Sequence, residues 1–446
     1  MNPTILQLAA DLAAGRTSSR KLTDEALARI EDPKGEGKRA FIKVWRHQAL
    51  AAADAGDALR KAGIVPSPLA GLPVSIKNLC NVAGETTLAG SKALDDAPTA
   101  TQDAPVVARL RAAGAVIVGS TNMSEFAFSG VGANPHYGTP GNPADRNRVP
   151  GGSSSGAAVS VGDQMAVVAL GTDTGGSVRI PSAVCGLVGF KPTARRVPLD
   201  GLVPLSFSLD SIGPLANSVE CCAIVDAVFA GEPIAVPEAA PLSGLRFGIP
   251  TQFVMDEIDA VVAKAFERAC TALAAKGATI EQIDLPQLNE LPGINAKGGF
   301  AAPEAYAWHR KLIARRGNMY DPFVHPRIMR GKEMTAADYI DLLLARADLQ
   351  KRVSAVTQNY DAVVMPTCAI TAPTLDEVST PDGFTKKNML LLRNTTVGNF
   401  LDRCGISLPC HAAGELPVGF TLMGEAMADK RLLAMARSVA PAISGH

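Results

Sequence analysis

Two serines in this chain stand behind paired glycines, in Gly151-Gly152-Ser153 and Gly175-Gly176-Ser177, and Lys77 closes an apolar run, GLPVSIKN. Paired glycines let the backbone take conformations closed to other residues and let a ligand approach the peptide N–H groups. Each hydroxyl therefore sits where it could meet a substrate. An amine in apolar surroundings sheds its charge readily, because desolvation disfavours the ammonium form. Two hydroxyls and an uncharged amine are the parts of a proton relay. The segment GTDTGGSVRIP adds a tight turn before a helix start, in which the N–H groups of Thr174, Gly175, Gly176 and Ser177 can converge on one point as a backbone oxyanion hole. A lone glycine-flanked serine is usually a turn residue; the joint pattern is what points to nucleophilic chemistry.

The elements that must position these groups alternate between strand-like and helix-like stretches. From Gly71 to about Thr193 the pattern runs PVSIK, then DAPVVARLRAAGAVIVG, where Asp103 is expected to cap a helix, Val106, Val107 and Leu110 to face inward, and Gly114 to end it before a strand. The same grammar returns around Gly277, and Leu245–Pro250, Tyr360–Pro366, ISLPC and PVGFTLMG read as further strands. Thr335 to Ala355 reads as a capped amphipathic helix. This alternation implies an α/β fold, a large parallel or mixed sheet with helices on both faces. The expected organisation is one domain over 1–446: a helical N-terminal arm over 1–64, a core over 65–230, and a remainder over 231–446 that completes the sheet and the substrate pocket.

The chain has 446 residues, 47% hydrophobic and 19% charged, with 43 basic and 43 acidic side chains. That composition suits a soluble globular protein, and the balanced charge argues against a nucleic acid or membrane partner recognised by bulk charge. Eight cysteines without a CxxC pair read as reduced thiols of a cytoplasmic protein. The N-terminus lacks the charged region of a signal peptide, and no apolar run approaches the roughly 18 residues of a membrane span. Gly84 to Lys92, GETTLAGSK, has the wrong glycine spacing for a Walker loop, and the six histidines, from His47 to His446, show no HExxH, so neither a cofactor nor a metal is implied.

The set formed by Lys77 in VSIKN, GGSSSG at 151–156, GTDTGGSVRIP at 171–181, GFKPT at 189–193 and SLDSIGPLANSV at 208–219 closely resembles the amidase signature family. The similarity is dense from about Gly71 to Val228 and resumes at 416–424. The resemblance implies the amidase signature fold, a large twisted mixed sheet covered by helices on both faces. It also implies a Ser-Ser-Lys triad: Ser177 as nucleophile, Ser153 as bridging serine reached through a cis peptide bond, and Lys77 as base. By the same resemblance Ser154, Asp173 and Arg179 support the nucleophile loop, Met123, Ser124 and Gly130 border the acyl pocket, and a homodimer is expected. The implied reaction is hydrolysis of a small-molecule amide, with esters or carbamates as further carbonyl substrates.

The family often writes GGSSGG, and Ser155 replaces one of those glycines without an expected change in the loop. Gly152-Ser153-Ser154-Ser155-Gly156 also satisfies GxSxG, which would make Ser154 a nucleophile and require His309 or His411 as its base. Phe300, Tyr306, Trp308, Tyr320 and Phe323 suggest an aromatic enclosure assembled from segments 122–134, 300–325 and 366–400. The alternative function within the family is the glutaminase-type component of a tRNA-dependent amidotransferase complex. The stretch from about Ala240 to Val397 is read as matching no part of such components, which favours a stand-alone enzyme.

Overall fold

The computed structural model describes residues 3–444, so Met1, Asn2, Gly445 and His446 lie outside the described residues. Eleven strands form one mixed sheet: β1 (Phe41–Val44), β2 (Pro73–Lys77), β3 (Val116–Thr121), β4 (Val168–Thr172), β5 (Val188–Lys191), β6 (Ile212–Ala216), β7 (Arg246–Pro250), β8 (Thr279–Ile283), β9 (Ala362–Pro366), β10 (Gly405–Pro409) and β11 (Gly419–Met423). Their order is β1-β3-β2-β4-β6-β5-β10-β11-β9-β7-β8. The pairs β2–β3, β2–β4, β7–β8 and β7–β9 are parallel; β6, β5, β10 and β11 join the two parallel groups through antiparallel pairing.

The period of two along each strand divides the core into two layers. Val74, Ile76, Leu170, Phe190, Ile212, Phe420 and Leu422 pack into one cluster with the helices Pro105–Ala112, Val219–Ala230, Ala260–Ala275 and Asp429–Ile443. Ala169, Leu215, Val363, Met365 and Met423 pack on the opposite side, against the helices Ser155–Gly162, Arg179–Val184, Ala336–Thr357 and Pro381–Phe400. Helices therefore cover both faces, as the alternating pattern requires.

The sequence expectations hold for Thr335, which caps the helix Ala336–Thr357 in a capping box with Asp338, and for Gly114, whose φ of 80° ends the preceding helix. Two details differ. The N-terminal arm is not wholly helical, because Phe41–Val44 forms an edge strand antiparallel to β3; four residues are too few to carry a periodic signal. Asp103 does not cap its helix. Pro105 occupies the first turn and Ala104 is the cap, so Asp103 stands one residue too early. Its carboxylate accepts from the Ala83 amide at 2.8 Å and pairs with Arg111 at 2.9 Å.

The helix Ser155–Gly162 lies close to the sheet because its residues are small. A Cβ on Gly156 would come within 2.1 Å of the Ala40 carbonyl oxygen. That proximity brings Ser160 Oγ to 2.8 Å from Ser75 Oγ on β2. Lys77, two residues on, points to the same side of the strand, toward the loop that precedes the helix.

Candidate active site

Lys77 ends β2 and Thr172 ends β4, and because these strands are parallel neighbours their C-terminal ends lie side by side. Lys77 is fully buried. Its Nζ lies 2.7 Å from Ser153 Oγ and 2.8 Å from Thr172 Oγ1, and both of these partners are hydroxyls. Burial pulls the amine down to about 7, against the opposing pull of Asp210, Cys80 and Asp173. Nothing in the sequence singles out Thr172. It reads there as one more β-branched strand residue.

Ser153 follows a cis peptide bond from Gly152. The loop around it is held by backbone: Gly152 N–H donates to the Gly130 carbonyl at 2.8 Å, and Ser124 N–H donates to the Ser153 carbonyl at 3.1 Å. Gly130 is itself fixed by Asn388 Oδ1, which accepts its N–H at 2.8 Å. Ser124 and Gly130 thus brace the Ser153 loop through backbone, and Met123 is buried in the main core with its carbonyl bonded to Asn134. Ser154 Oγ donates to the Thr172 carbonyl, and no hydrogen bond joins it to a histidine. His309 lies instead against Phe126 and Trp308 with its Nδ1 at 2.8 Å from the Tyr320 hydroxyl. Ser155 Oγ is buried without a partner.

Ser177 is joined to this loop through main chain, the Ser154 N–H donating to the Ser177 carbonyl at 3.3 Å. Its own hydroxyl makes no hydrogen bond among the described residues, to Ser153 or to any other group, and it is not among the polar atoms sealed from solvent. The amides of Thr174, Gly175, Gly176 and Ser177 likewise make none. Four consecutive unsatisfied donors are rare in a buried segment and mark a place prepared for an acceptor. Gly176 has a φ of 133°, and a Cβ there would lie 2.1 Å from Thr395 Oγ1. Glycine is the residue that this turn admits.

Asp173 and Arg179 hold the turn from beneath. Arg179 Nε and Nη2 each donate to Asp173 at 3.0 Å, and Arg179 Nη2 also reaches the Thr395 carbonyl at 2.9 Å and Asn399 Oδ1 at 2.6 Å. Burial alone would raise the Asp173 carboxyl, but the guanidinium outweighs it and holds the group at about 2. Above the turn, the Thr174 hydroxyl donates to Asp210, which also accepts the Leu205 and Ser206 amides at 2.9 and 3.1 Å. Asp210 carries no local sequence signal either, since its role appears only once the 199–210 loop folds back over residue 174.

A cleft of about 280 Å³ opens beside Thr172 and Thr174. Of the five aromatic residues expected to enclose it, Trp308 lines it. Phe300 packs against Phe400 and Tyr339, Phe323 stacks on Phe384, and Tyr320 is buried beside Phe126. Segment 366–400 contributes no wall; the 199–210 loop takes its place. Among the described residues no group of three or more His, Cys, Asp or Glu is placed to hold a metal ion, and no helix is long and apolar enough to cross a membrane.

Comparison with known proteins fits this arrangement. The pattern of the amidase family matches residues 21–433. A 2-amino-5-chloromuconic acid deaminase from Comamonas testosteroni is 38% identical, the match covering 100% of this chain and 98% of that one. The glutaminase-type component of the glutamyl-tRNA(Gln) amidotransferase from Roseiflexus sp. (strain RS-1) is 35% identical, over 95% of this chain and 92% of its own length. A crystal structure of an amidase superposes with a TM-score of 0.89 at 31% identity, covering 99% of this chain and 100% of the other. The fold and the family likeness define a C–N hydrolase. The chain belongs to the amidase family. Two expectations are corrected by these matches: the likeness is not confined to 71–228 and 416–424, and the match to the amidotransferase component runs through residues 240–397.

The Asp173–Arg179 pair generates a stability prediction. Arg179→Ala leaves a buried carboxylate without its counter-charge, and it is expected to lower the unfolding free energy by about 3–5 kcal/mol, read from urea denaturation. A loss below about 1 kcal/mol would show that the pair does not hold the turn.

Proposed function

We propose that the protein hydrolyses a small-molecule carboxylic amide through an acyl-enzyme on Ser177, with Ser153 and Lys77 as its proton relay. The observation that carries this reading is the fully buried Lys77 amine, 2.7 Å from Ser153 Oγ and lowered to about 7. Uncharged, Lys77 Nζ accepts the Ser153 proton while Ser153 Oγ takes the proton of Ser177, and Ser177 Oγ attacks the carbonyl carbon. The two serine hydroxyls close to hydrogen-bond distance when substrate is bound; apo geometry at such sites is commonly looser. The negative charge that develops on the carbonyl oxygen is met by the free amides of 174–177. As the tetrahedral species collapses, Ser153 returns the proton to the leaving nitrogen, which departs as amine or ammonia. Water then takes the place of Ser177 Oγ by the reverse path and releases the acid. Each step uses side chains and backbone of this chain, with no cofactor.

Esters and carbamates present the same carbonyl and fall within the reading. The relative that deaminates 2-amino-5-chloromuconic acid supports C–N cleavage on a small molecule. The competing reading, the glutaminase-type component of a tRNA-dependent amidotransferase, is supported by the near-full-length likeness to such chains. The two separate on the purified chain alone: turnover of simple amides without partner or ATP favours the first. A homodimer and a cytoplasmic setting remain part of the proposal.

Two measurements test the mechanism. Ser177→Ala is expected to lower kcat by about 10⁴ or more with the folded state intact by circular dichroism; near-normal turnover would end the assignment. The pH profile tests the base. Because burial lowers the amine to about 7, Lys77 is charged and idle below that pH and neutral above it, so kcat/KM should rise through about pH 7. A rate already at its plateau near pH 5 would contradict a lysine base.

A further inference from the structure

The cleft beside Thr174 is walled mainly by carbon, from Leu79, Ala127, Leu199, Leu202, Phe207 and Trp308, with Phe207 62% exposed. Its ionisable lining residues are Asp200 and Asp210, both acids; no Arg, Lys or His among the described residues lines it. Asp200 is solvated, whereas Asp210 is 8% exposed. Three donors, the Thr174 hydroxyl and the Leu205 and Ser206 amides, fix the Asp210 carboxylate in the wall. Behind it sits a second buried carboxyl, Glu304, which accepts from Ser206 and Ser208 and from the Tyr339 hydroxyl at 2.7 Å. The nearest basic groups are engaged elsewhere. Lys77 is the relay amine, and Arg346 donates to the carbonyls of Ser208, Asn399 and Phe400.

An anion entering this cleft would lose its water without gaining a cation and would face a fixed carboxylate across a wall of low dielectric. A cleft of about 280 Å³ also holds only a small acyl group. Building on the Ser177 hydrolase reading, we infer that the cleft takes amides with a small apolar acyl part and rejects those whose acyl part carries a negative charge, Asp210 setting the rejection. Specificity of this kind is repulsive: it comes from what the wall excludes rather than from what it binds.

Burial and Glu304 raise the Asp210 carboxyl to about 6, against the pull of its three donors, so it is ionised in the range where Lys77 is neutral. The groups facing it are Thr174, Leu205 and Ser206 directly, with Glu304 and Lys77 acting through charge, and Tyr339 and Arg346 behind Glu304.

The test compares hexanamide with the same chain ending in a sulfonate, which stays ionised at every pH used. At pH 8 the wild-type kcat/KM is expected to favour hexanamide by about tenfold or more, equivalent to ~1.4 kcal/mol. In Asp210→Asn the ratio should fall to about threefold or less; each ratio is internal to one enzyme, so a general loss of activity does not move it. If that variant fails to fold, the wild-type ratio followed from about pH 8 to 5.5 serves instead. Protonation of Lys77 cancels between the two amides, and the gap should narrow as Asp210 gains its proton. A ratio near one, a preference for the sulfonate, or an undiminished gap in folded Asp210→Asn would overturn the inference and leave the hydrolase reading standing. No turnover of either amide, with no labelling of Ser177 by a fluorophosphonate, would overturn both.

Discussion

A lysine amine buried among hydroxyls, with no carboxylate free to pair with it, is the constraint on which the rest of the site depends. Moving an ammonium out of water costs several kcal/mol, and a buried lysine ordinarily recovers this through an ion pair. Here the two nearest acids are already committed. Asp173 is held bidentate by Arg179, and Asp210 is bound by Thr174 and two amides. Lys77 is left with Ser153 and Thr172, whose hydroxyls can donate to an uncharged nitrogen as readily as they accept from a charged one. The inexpensive state is the neutral amine, which is the state a base requires.

The sheet makes this arrangement cheap to hold. Two parallel neighbours, β2 and β4, deliver Lys77 and Thr172 to the same edge, and the loops that follow each strand or precede each helix carry the serines. Ligand sites lie at the C-terminal ends of parallel strands for this reason: side chains from several strands and helix N-termini converge there. The helix Ser155–Gly162 presses close because Gly156 lacks a side chain, and the turn at 174–177 bends sharply because Gly176 adopts positive φ. Small residues at these points exchange core volume for proximity.

Much of the site is legible in the sequence because its parts sit in local patterns: a lysine at the end of an apolar run, and two glycine pairs each followed by serine. Thr172 is not, since a threonine in a strand looks the same whether or not an amine lies beside it. Asp210 is hidden for another reason: its partner Thr174 is distant in sequence, and the contact exists only after the 199–210 loop closes over the turn. The alternation of strands and helices reveals the fold, but not β1, too short to show a period, nor the true cap at Ala104, where Pro105 decides. Aromatic residues mislead as pocket markers. Phe300 and Tyr320 serve packing, and aromatic composition alone cannot separate core from cleft.

The central claim is that Lys77 carries no charge in the folded protein at working pH, and direct titration of its amine tests this most directly. With lysine labelled at Cε, NMR resolves each amine, and Lys77→Met identifies the signal against that of Lys191, the other fully buried lysine, which burial brings to about 8. The account requires a midpoint near 7 for Lys77. A midpoint above about 10, that of an ordinary lysine, would mean a permanently charged group and would contradict it.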